Sequence, residues 1–220
     1  MTLLLPTVCL FACALSIGFE TKQQNKLALK TKLLASLAFV GFAWELGAWN
    51  SQYGQILFIG LVLSMLGDWL LALKEKKWFL VGIGAFLFTH FAYAWAFLHS
   101  GLQLSSEIDL ATEKLALILP VIMVALVLVA WWLRTHLHST FKTLVPLYLM
   151  AIGLMLVSAW GNEAQAAWWW IVGGASLFAI SDLFVARNRF IQNDDLNHII
   201  GLPIYYVAQL MLAYSTSLVV

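Results

Sequence analysis

Three carboxylate side chains lie inside long apolar stretches of this 220-residue chain: Glu45, Asp68 and Asp182. A charge at the centre of a bilayer costs about 3 kcal/mol even on the lenient insertion scale, so each is a candidate functional group. Glu45 lies beside Trp44 and near Trp49 at the end of its stretch, where its side chain can reach water. The remaining two form a candidate pair, and paired carboxyl groups can divide the roles of general acid and general base.

The two aspartates are expected at matching depth. Asp68 precedes Lys74 by six residues and Asp182 precedes Arg187 by five. At 1.5 Å per helical residue, this places the two carboxyl groups about 9 Å and about 8 Å below the basic residues. The alternative is a structural role, in which each carboxylate pairs with a buried lysine or bonds to the backbone. The sequence does not reveal whether the two helices adjoin.

The elements that position these residues follow from composition. The chain is 62% hydrophobic and 10% charged, with a mean hydropathy of +0.88, and its apolar residues come in blocks of about 20 residues, the length of a membrane-spanning helix. We therefore predict an all-α fold, a single eight-helix transmembrane bundle over residues 1–220. The first segment lacks a basic region before it and is expected to be retained, not cleaved as a secretion signal. The segments are 2–19, 31–49, 54–73, 79–98, 115–133, 143–160, 167–186 and 199–219.

Basic residues predict the orientation of the bundle. Eleven of the 12 lysines and arginines flank the odd-numbered loops, whereas Lys114 alone lies on the opposite side. The positive-inside rule therefore places these loops in the cytoplasm and both termini outside. We expect an integral, multi-pass protein of a bacterial inner (cytoplasmic) membrane, with the aspartates near the cytoplasmic face. The outer side is expected to hold the acidic residues Glu107, Asp109, Glu113 and Glu163.

Other polar residues in the spans extend the candidate site. Lys32 opens the second segment and can reach a phosphate or an aspartate, or it can serve only to set topology. His90 and Tyr93 are three residues apart and share a helix face, where His90 can instead bond to a neighbouring helix.

Two stripes of small and polar residues recur at intervals of four. Small residues let helices approach closely, so both stripes are expected to face protein, not lipid. One comprises Gly60, Ser64 and Asp68, and the other Gly201, Tyr205 and Gln209.

The surroundings of the two aspartates also resemble one another. Gly67-Asp68 and Ser181-Asp182 are each followed by alanine four residues later and then by a basic residue. The next segments each have a glycine eight residues before a polar residue: Gly82 before His90 and Gly201 before Gln209. This pattern indicates a four-plus-four parallel repeat, with chance similarity between apolar helices as the alternative.

Several classes of site are not expected. The net charge of +1 lacks the basic field that nucleic-acid binding requires. No phosphate-binding glycine loop or nucleophile elbow occurs, so we expect no cofactor. A metal site is not expected either, because the residues with ligand chemistry are interpreted as solvated loop residues: His136, His138, His198, Asp194 and Asp195.

An ordered set of motifs resembles the YhhN-like lysoplasmalogenase family over the second to eighth segments. The chain departs from the family at Leu33, where members commonly have proline, and this bears only on the local helix start. The motifs are Lys32, Gly67-Asp68, His90-x-x-Tyr93, Pro146-x-Tyr148, Gly174-Ala175-x-x-Phe178-x-x-Ser181-Asp182, Phe190 and Tyr205-x-x-x-Gln209.

The resemblance implies hydrolysis of the vinyl ether bond of lysoplasmalogens, and it implies that Asp68 and Asp182 are central. Enol ethers are cleaved by protonation at carbon and capture of the resulting oxocarbenium ion by water, a task that glycosidases also perform with two carboxyl groups. We expect Asp68 to be the acid and Asp182 the base. The expected partners are a lysophospholipid and membrane lipids, with the head group near Lys32, Lys74 and Arg187. The expected substrate-binding residues are Lys32, His90, Tyr93, Tyr148, Ser181, Tyr205 and Gln209.

Two other functions use the same residues differently. A proton-coupled transporter of lipids or small molecules also places carboxylates in the membrane, although this chain lacks conspicuous pairs of broken helices. A membrane scaffold would not require matched aspartates. The head-group preference and the oligomeric state are not determined by the sequence.

Overall fold

The computed structural model describes residues 3–73, 75–104, 108–138, 140–162, 164 and 166–219, and of residues 76, 101–104 and 108–114 the backbone alone. In this part of the chain every regular element is a helix and no strand occurs. The orientation residues Lys74, Glu107 and Glu163 lie outside the described residues, as do the side chains of Asp109, Glu113 and Lys114.

Eight α-helices account for nearly all of the described chain, and each coincides with one predicted segment. They are α1 (Leu4–Thr21), α2 (Asn25–Glu45), α3 (Gln52–Ala72), α4 (Lys76–Leu104), α5 (Ile108–Leu133), α6 (Phe141–Trp160), α7 (Trp168–Phe190) and α8 (Leu202–Ser215). The prediction of eight helices is confirmed.

Seven of these helices, α1 to α7, are long and apolar enough to cross a membrane. Helix α8 has 14 residues and directly follows a π-helical turn, Asn197–Gly201. Large apolar side chains cover much of the outer surface. In the apolar part of α5, within Leu115–Leu133, only 6% of the residues are buried. Backbone polar groups in such surroundings must be satisfied within the helix. The chain is therefore an integral, multi-pass membrane protein.

Helix starts and ends differ from the prediction where polar residues continue a helix. Helix α2 begins at Asn25, so Lys32 lies two turns inside it and does not open it. Helix α7 continues to Phe190, past Arg187. Measured to the end of its own helix, Asp68 is four residues deep and Asp182 is eight. The separations from Lys74 and Arg187 along the chain remain six and five residues, so the matched depth stays a prediction.

Local sequence explains the sharp connection between α2 and α3. Gly47 adopts a left-handed conformation with φ of 81°, which glycine tolerates without a steric penalty, and a 3-10 turn follows at Ala48–Asn50. Ser51 then caps α3, because its hydroxyl accepts a hydrogen bond from the backbone N–H of Gly54 at 3.1 Å.

Six helices form a closed ring, in which each packs against two neighbours. The order around the ring is α2, α3, α4, α6, α7, α8 and back to α2. Helix α1 packs outside the ring on α2 and α8, and α5 packs outside on α6. Helices α3 and α7, which carry the two aspartates, therefore occupy opposite positions in the ring.

Candidate active site

A cavity of about 410 Å³ lies inside the ring, and both Asp68 and Asp182 line it. This volume falls in the range of small-molecule binding sites. Apolar side chains from several helices form most of the wall, including Phe79, Phe86 and Leu149. The fold thus brings the predicted pair to one space, although the helices that carry them lie across the ring from each other.

Asp68 is buried and held by hydroxyl groups. Its side chain is 3% exposed. Tyr205 of α8 donates its hydroxyl to Oδ2 at 2.8 Å, and Ser36 of α2 lies 2.6 Å from the same oxygen. Ser36 also lies 3.1 Å from the backbone carbonyl of Lys32. A carboxyl group with such partners is fixed in position by three helices.

Asp182 has a different set of partners. Tyr148 of α6 donates its hydroxyl to Oδ2 at 3.0 Å, and Nε2 of His90 of α4 lies 3.2 Å from the same oxygen. The Asp182 side chain is 11% exposed, whereas that of His90 is fully buried. Among the described residues, the hydrogen-bond partners of Asp68 are therefore hydroxyl groups, whereas Asp182 also contacts a titratable nitrogen.

Charged and polar side chains collect at the end of the cavity where α1, α3 and α7 end. Lys32, Glu20, Arg189 and His198 all line it. The guanidinium of Arg189 stacks on the ring of Phe79, with its central carbon 3.8 Å from the ring centre. Positive charges held at a cavity mouth are suited to a phosphate group.

Arg187, which the sequence places near the head group, is engaged elsewhere. Its two terminal nitrogens donate to both carboxylate oxygens of Asp194 at 2.6 Å each, and it does not line the cavity. This paired guanidinium lowers the pKa of Asp194. The expectation that Arg187 lies near the head group is therefore corrected. Arg189, two residues later and on another face of the helix, lines the cavity instead. Lys74 lies outside the described residues.

The predicted substrate-binding residues divide into two groups. Lys32, Tyr148, Ser181 and Tyr205 line the cavity together with the aspartates. The other three, which were expected to line the pocket, are not part of its wall and have no exposed surface: His90, Tyr93 and Gln209. Because buried polar groups require partners, these three are bonded within the bundle.

Tyr93 and Gln209 belong to a buried network that joins three helices. The hydroxyl of Tyr93 donates to Oε1 of Gln209 at 2.6 Å, and Nε2 of Gln209 donates to Ser64 at 3.3 Å. Ser64 and Gln209 belong to the two polar stripes, as do Asp68 and Tyr205. The prediction that both stripes face protein is therefore confirmed, and the stripes face each other.

Glu20 and His198 are cavity residues that the sequence did not single out. Oε2 of Glu20 lies 2.7 Å from Nδ1 of His198. The interpretation of His198 as a solvated loop residue was wrong, because it lies on the π-helical turn and its side chain is only 25% exposed. Each residue directly flanks an apolar segment on the predicted cytoplasmic side, which is the signal that could have identified it.

Comparison with known proteins assigns a family to this arrangement. A sequence model of the YhhN family matches residues 27–216, which contain both aspartates and every residue that lines the cavity except Glu20. The chain belongs to the YhhN family. It is 34% identical to human lysoplasmalogenase TMEM86A over 166 residues, covering 72% of this chain and 64% of the relative.

Two further relatives are also named lysoplasmalogenases. Human lysoplasmalogenase TMEM86B is 29% identical over 207 residues, covering 94% of this chain and 81% of the relative. A lysoplasmalogenase of Mycobacterium bovis is 29% identical over 181 residues, covering 81% and 64%. The chain thus spans less than two thirds of the length of human TMEM86A and of the mycobacterial relative. No solved structure gives a significant match.

Proposed function

We propose that this member of the YhhN family is a membrane-embedded hydrolase that cleaves the vinyl ether bond of lysoplasmalogens. The products are a fatty aldehyde and a glycerophospho-head group. The main support for the proposal is one cavity lined by two aspartates whose carboxyl groups have unlike partners. The lysoplasmalogenase names of its relatives supply the substrate class.

Asp68 acts as the acid. Ser36 has one hydroxyl hydrogen and three oxygen neighbours, the Lys32 carbonyl, the Tyr206 hydroxyl and Asp68 Oδ2. When Ser36 donates to the carbonyl, the 2.6 Å contact with Asp68 requires a hydrogen on the carboxyl group. Burial in apolar surroundings also favours the neutral form of a carboxyl group. A protonated Asp68 can deliver this hydrogen to the carbon of the enol ether.

Asp182 acts as the base. Asp182 is partly exposed, whereas Asp68 is buried, so Asp182 is better placed to meet a water molecule in the cavity. The Tyr148 hydroxyl, at 3.0 Å, fixes the orientation of the carboxylate. General bases are recognised by such reach together with a second group that orients them.

The proposed reaction returns both carboxyl groups to their starting protonation states. Asp68 gives its hydrogen to the outer vinyl carbon, and the carbon next to oxygen becomes an oxocarbenium centre. Water attacks this centre and gives a proton to Asp182, which leaves a hemiacetal. The hemiacetal hydroxyl then returns a proton to Asp68, while Asp182 protonates the departing glycerol oxygen. Aldehyde and alcohol are released, and both carboxyl groups regain their starting forms.

The substrate lies with its single tail along the apolar wall and its head group at the charged end. Lys32 and Arg189 take the phosphate, because both cations line this end of the cavity. Glu20 is the carboxylate at the same end and takes the ammonium of an ethanolamine or choline group. Tyr148, Ser181 and Tyr205 contact the reacting segment, and His90, Tyr93 and Gln209 support the wall behind them.

The topology that goes with this function has eight crossings, both termini outside and the charged end of the cavity at the cytoplasmic face of a bacterial inner membrane. The bias of basic residues supports this orientation. The eighth crossing consists of the π-helical turn and α8, about 28 Å long over 19 residues.

A four-plus-four repeat is supported by how the ring is assembled. Each aspartate is contacted by one helix of its own half and one of the other half: α2 and α8 for Asp68, α6 and α4 for Asp182. The packing of α2 on α8 has its counterpart in the packing of α6 on α4. We propose that the halves derive from one four-helix unit.

The test is incubation of the purified protein with lysoplasmenyl ethanolamine, followed by measurement of free aldehyde, beside the corresponding acyl lipid. We expect aldehyde from the vinyl ether lipid, and a loss of at least about 100-fold in Asp68→Asn and in Asp182→Asn. Glu45→Gln is the matched control, since Glu45 is exposed at the end of α2. Full activity in either aspartate variant overturns the mechanism, and proton flux in vesicles without aldehyde release would indicate transport.

A further inference from the structure

The ring of His90 is held rigidly behind the cavity wall. It has no exposed surface and stacks on Phe178, with ring centres 4.5 Å apart and planes 11° apart. Tyr148 packs against it edge-on at 5.1 Å. Nδ1 of His90 lies 2.7 Å from the backbone carbonyl oxygen of Phe86. The ring therefore has one fixed orientation.

This orientation determines which nitrogen carries hydrogen. A carbonyl oxygen only accepts hydrogen bonds, so the 2.7 Å contact requires a hydrogen on Nδ1. In the neutral ring Nε2 then has a lone pair and no hydrogen. Nε2 points towards Asp182, whose Oδ2 lies 3.2 Å away.

The contact between His90 and Asp182 is attractive only when it contains a proton. A lone pair on Nε2 and an ionised carboxylate both accept and neither donates, so the two repel at 3.2 Å. One added proton, on either Nε2 or Oδ2, allows a hydrogen bond between the two atoms. The approach of Nε2 is not aligned for a straight hydrogen bond, and within the described residues Nε2 has no other hydrogen-bond partner. A proton held in such a contact is shared and can leave again.

We propose that His90 and Asp182 together form a one-proton store that serves the two halves of the reaction. This inference rests on the proposed hydrolysis. In the hydration step an O–H bond of water breaks and the proton enters the space between Oδ2 and Nε2. In the collapse step the same proton leaves to the glycerol oxygen as its bond to the hemiacetal carbon breaks. His90 is a positioning residue in this scheme, because it acts through Asp182 and does not line the cavity.

The store also explains why the two carboxyl groups have unlike partners. Hydroxyl groups hold Asp68 and leave its proton free for the vinyl carbon, whereas the imidazole beside Asp182 offers a second atom that can accept a proton. Other titratable groups face the same space from the remaining helices and contribute to its field. They are Glu20 of α1, Lys32 of α2, Asp68 of α3, Tyr148 of α6, Arg189 of α7, His198 of the π-helical turn and Tyr205 of α8.

His90→Gln tests the inference, since an amide can contact Asp182 but cannot store a proton. We expect kcat to fall about 100-fold with KM within about twofold of the wild type, in the range of lost acid–base catalysis. The kcat–pH profile should also change, because the proton from water then has one acceptor where the wild type offers two. Thr89→Val, at the adjacent buried position of α4, is the matched control and should leave the profile unchanged.

His90→Ala supplies a second readout, because removal of the ring leaves a space against Phe178 that imidazole can fill. We expect added imidazole to raise the activity of His90→Ala at least about tenfold above its activity without imidazole. Loss of activity in both variants with no change in the profile and no rescue would indicate a structural role and overturn the inference. Wild-type kcat in His90→Gln also overturns the inference about His90. In that case the proposed hydrolysis would still stand if Asp182→Asn loses activity.

A measurement on the wild-type ring covers the case in which the variants do not fold. Histidine nitrogen NMR, on protein whose other four histidines are replaced by glutamine, should show hydrogen on Nδ1 at every pH. Nε2 should gain and lose its share of the proton with pH. Hydrogen on Nε2 with none on Nδ1 in the neutral ring would overturn the inference.

Discussion

Tyr205 donates its hydroxyl to Oδ2 of Asp68 at 2.8 Å, although 137 residues separate them in the sequence. The contact joins α8 to α3 across the boundary between the two halves of the chain. Gln209, one turn after Tyr205 in α8, donates to Ser64, one turn before Asp68 in α3, at 3.3 Å. The acid of the proposed reaction is therefore positioned only when the last helix has closed the ring.

Loss of the Tyr205 hydroxyl should weaken catalysis more than folding. Asp68 becomes a carboxylate as it gives up its proton, and a hydrogen bond to a charged group contributes about 1.5–3 kcal/mol, so Tyr205→Phe should release aldehyde about 10- to 100-fold more slowly. Tyr53→Phe is the matched control, because Tyr53 is an equally buried tyrosine whose hydroxyl contacts Ser215 at 2.6 Å. An equal loss of activity in both variants would argue against a specific role for Tyr205.

Arg187 and Arg189 should separate binding from stability. Arg189→Gln should raise KM for the phospholipid about tenfold with little change in melting temperature, since Arg189 lines the cavity. Arg187→Gln should lower the melting temperature and leave KM unchanged, since Arg187 pairs with Asp194. Steady-state kinetics and thermal unfolding in detergent measure the two effects. The reverse pattern would contradict the proposed head-group site.

Glu20 should determine preference for a cationic head group. Glu20→Gln removes the charge and keeps the shape, so kcat/KM for lysoplasmenyl ethanolamine should fall about tenfold relative to the same vinyl ether lipid that ends at the phosphate. The ratio of the two kcat/KM values is the measurement, and Glu45→Gln is the control. An unchanged ratio would remove Glu20 from head-group recognition.

Close packing of α7 on α8 should not tolerate a methyl group at Gly174. An added Cβ would lie 2.7 Å from a methyl carbon of Leu212 and 3.1 Å from the backbone oxygen of Ala208. Gly174→Ala should destabilise the protein by about 1–3 kcal/mol. Gly84→Ala is the matched control, since nothing lies within 4 Å of its Cβ position, and alanine there should stabilise helix α4 by up to about 1 kcal/mol. Thermal unfolding of both variants measures the contrast.

The Arg187–Asp194 pair should make stability depend on acidic pH. The pKa of Asp194 is lower in the folded chain than its ordinary value, so the carboxylate stabilises the fold at neutral pH. This contribution is complete above about pH 4 and is lost as the pH falls through the lowered pKa. Asp194→Asn should therefore melt below the wild type at pH 7, and the difference should shrink in strong acid. A constant difference at all pH values would contradict the pairing.

Much of the architecture follows from local sequence. Apolar runs of about 20 residues predicted all eight helices, because hydropathy and helix length are properties of consecutive residues. The four-residue spacing of Ser64 with Asp68 and of Tyr205 with Gln209 predicted which faces meet protein, for the same local reason. Asp68 and Asp182 could be identified as candidate site residues from the sequence because charged residues are so scarce in the apolar segments.

Only the tertiary structure decided which side chains share the cavity. Closure of the ring placed α3 opposite α7, put Arg189 and not Arg187 at the charged end, and brought Glu20 from α1 to His198. It also set His90 behind Asp182 and outside the cavity wall. Such relationships depend on the rotation and packing of helices that are distant in sequence. Hydropathy and spacing along a single helix carry no information about them.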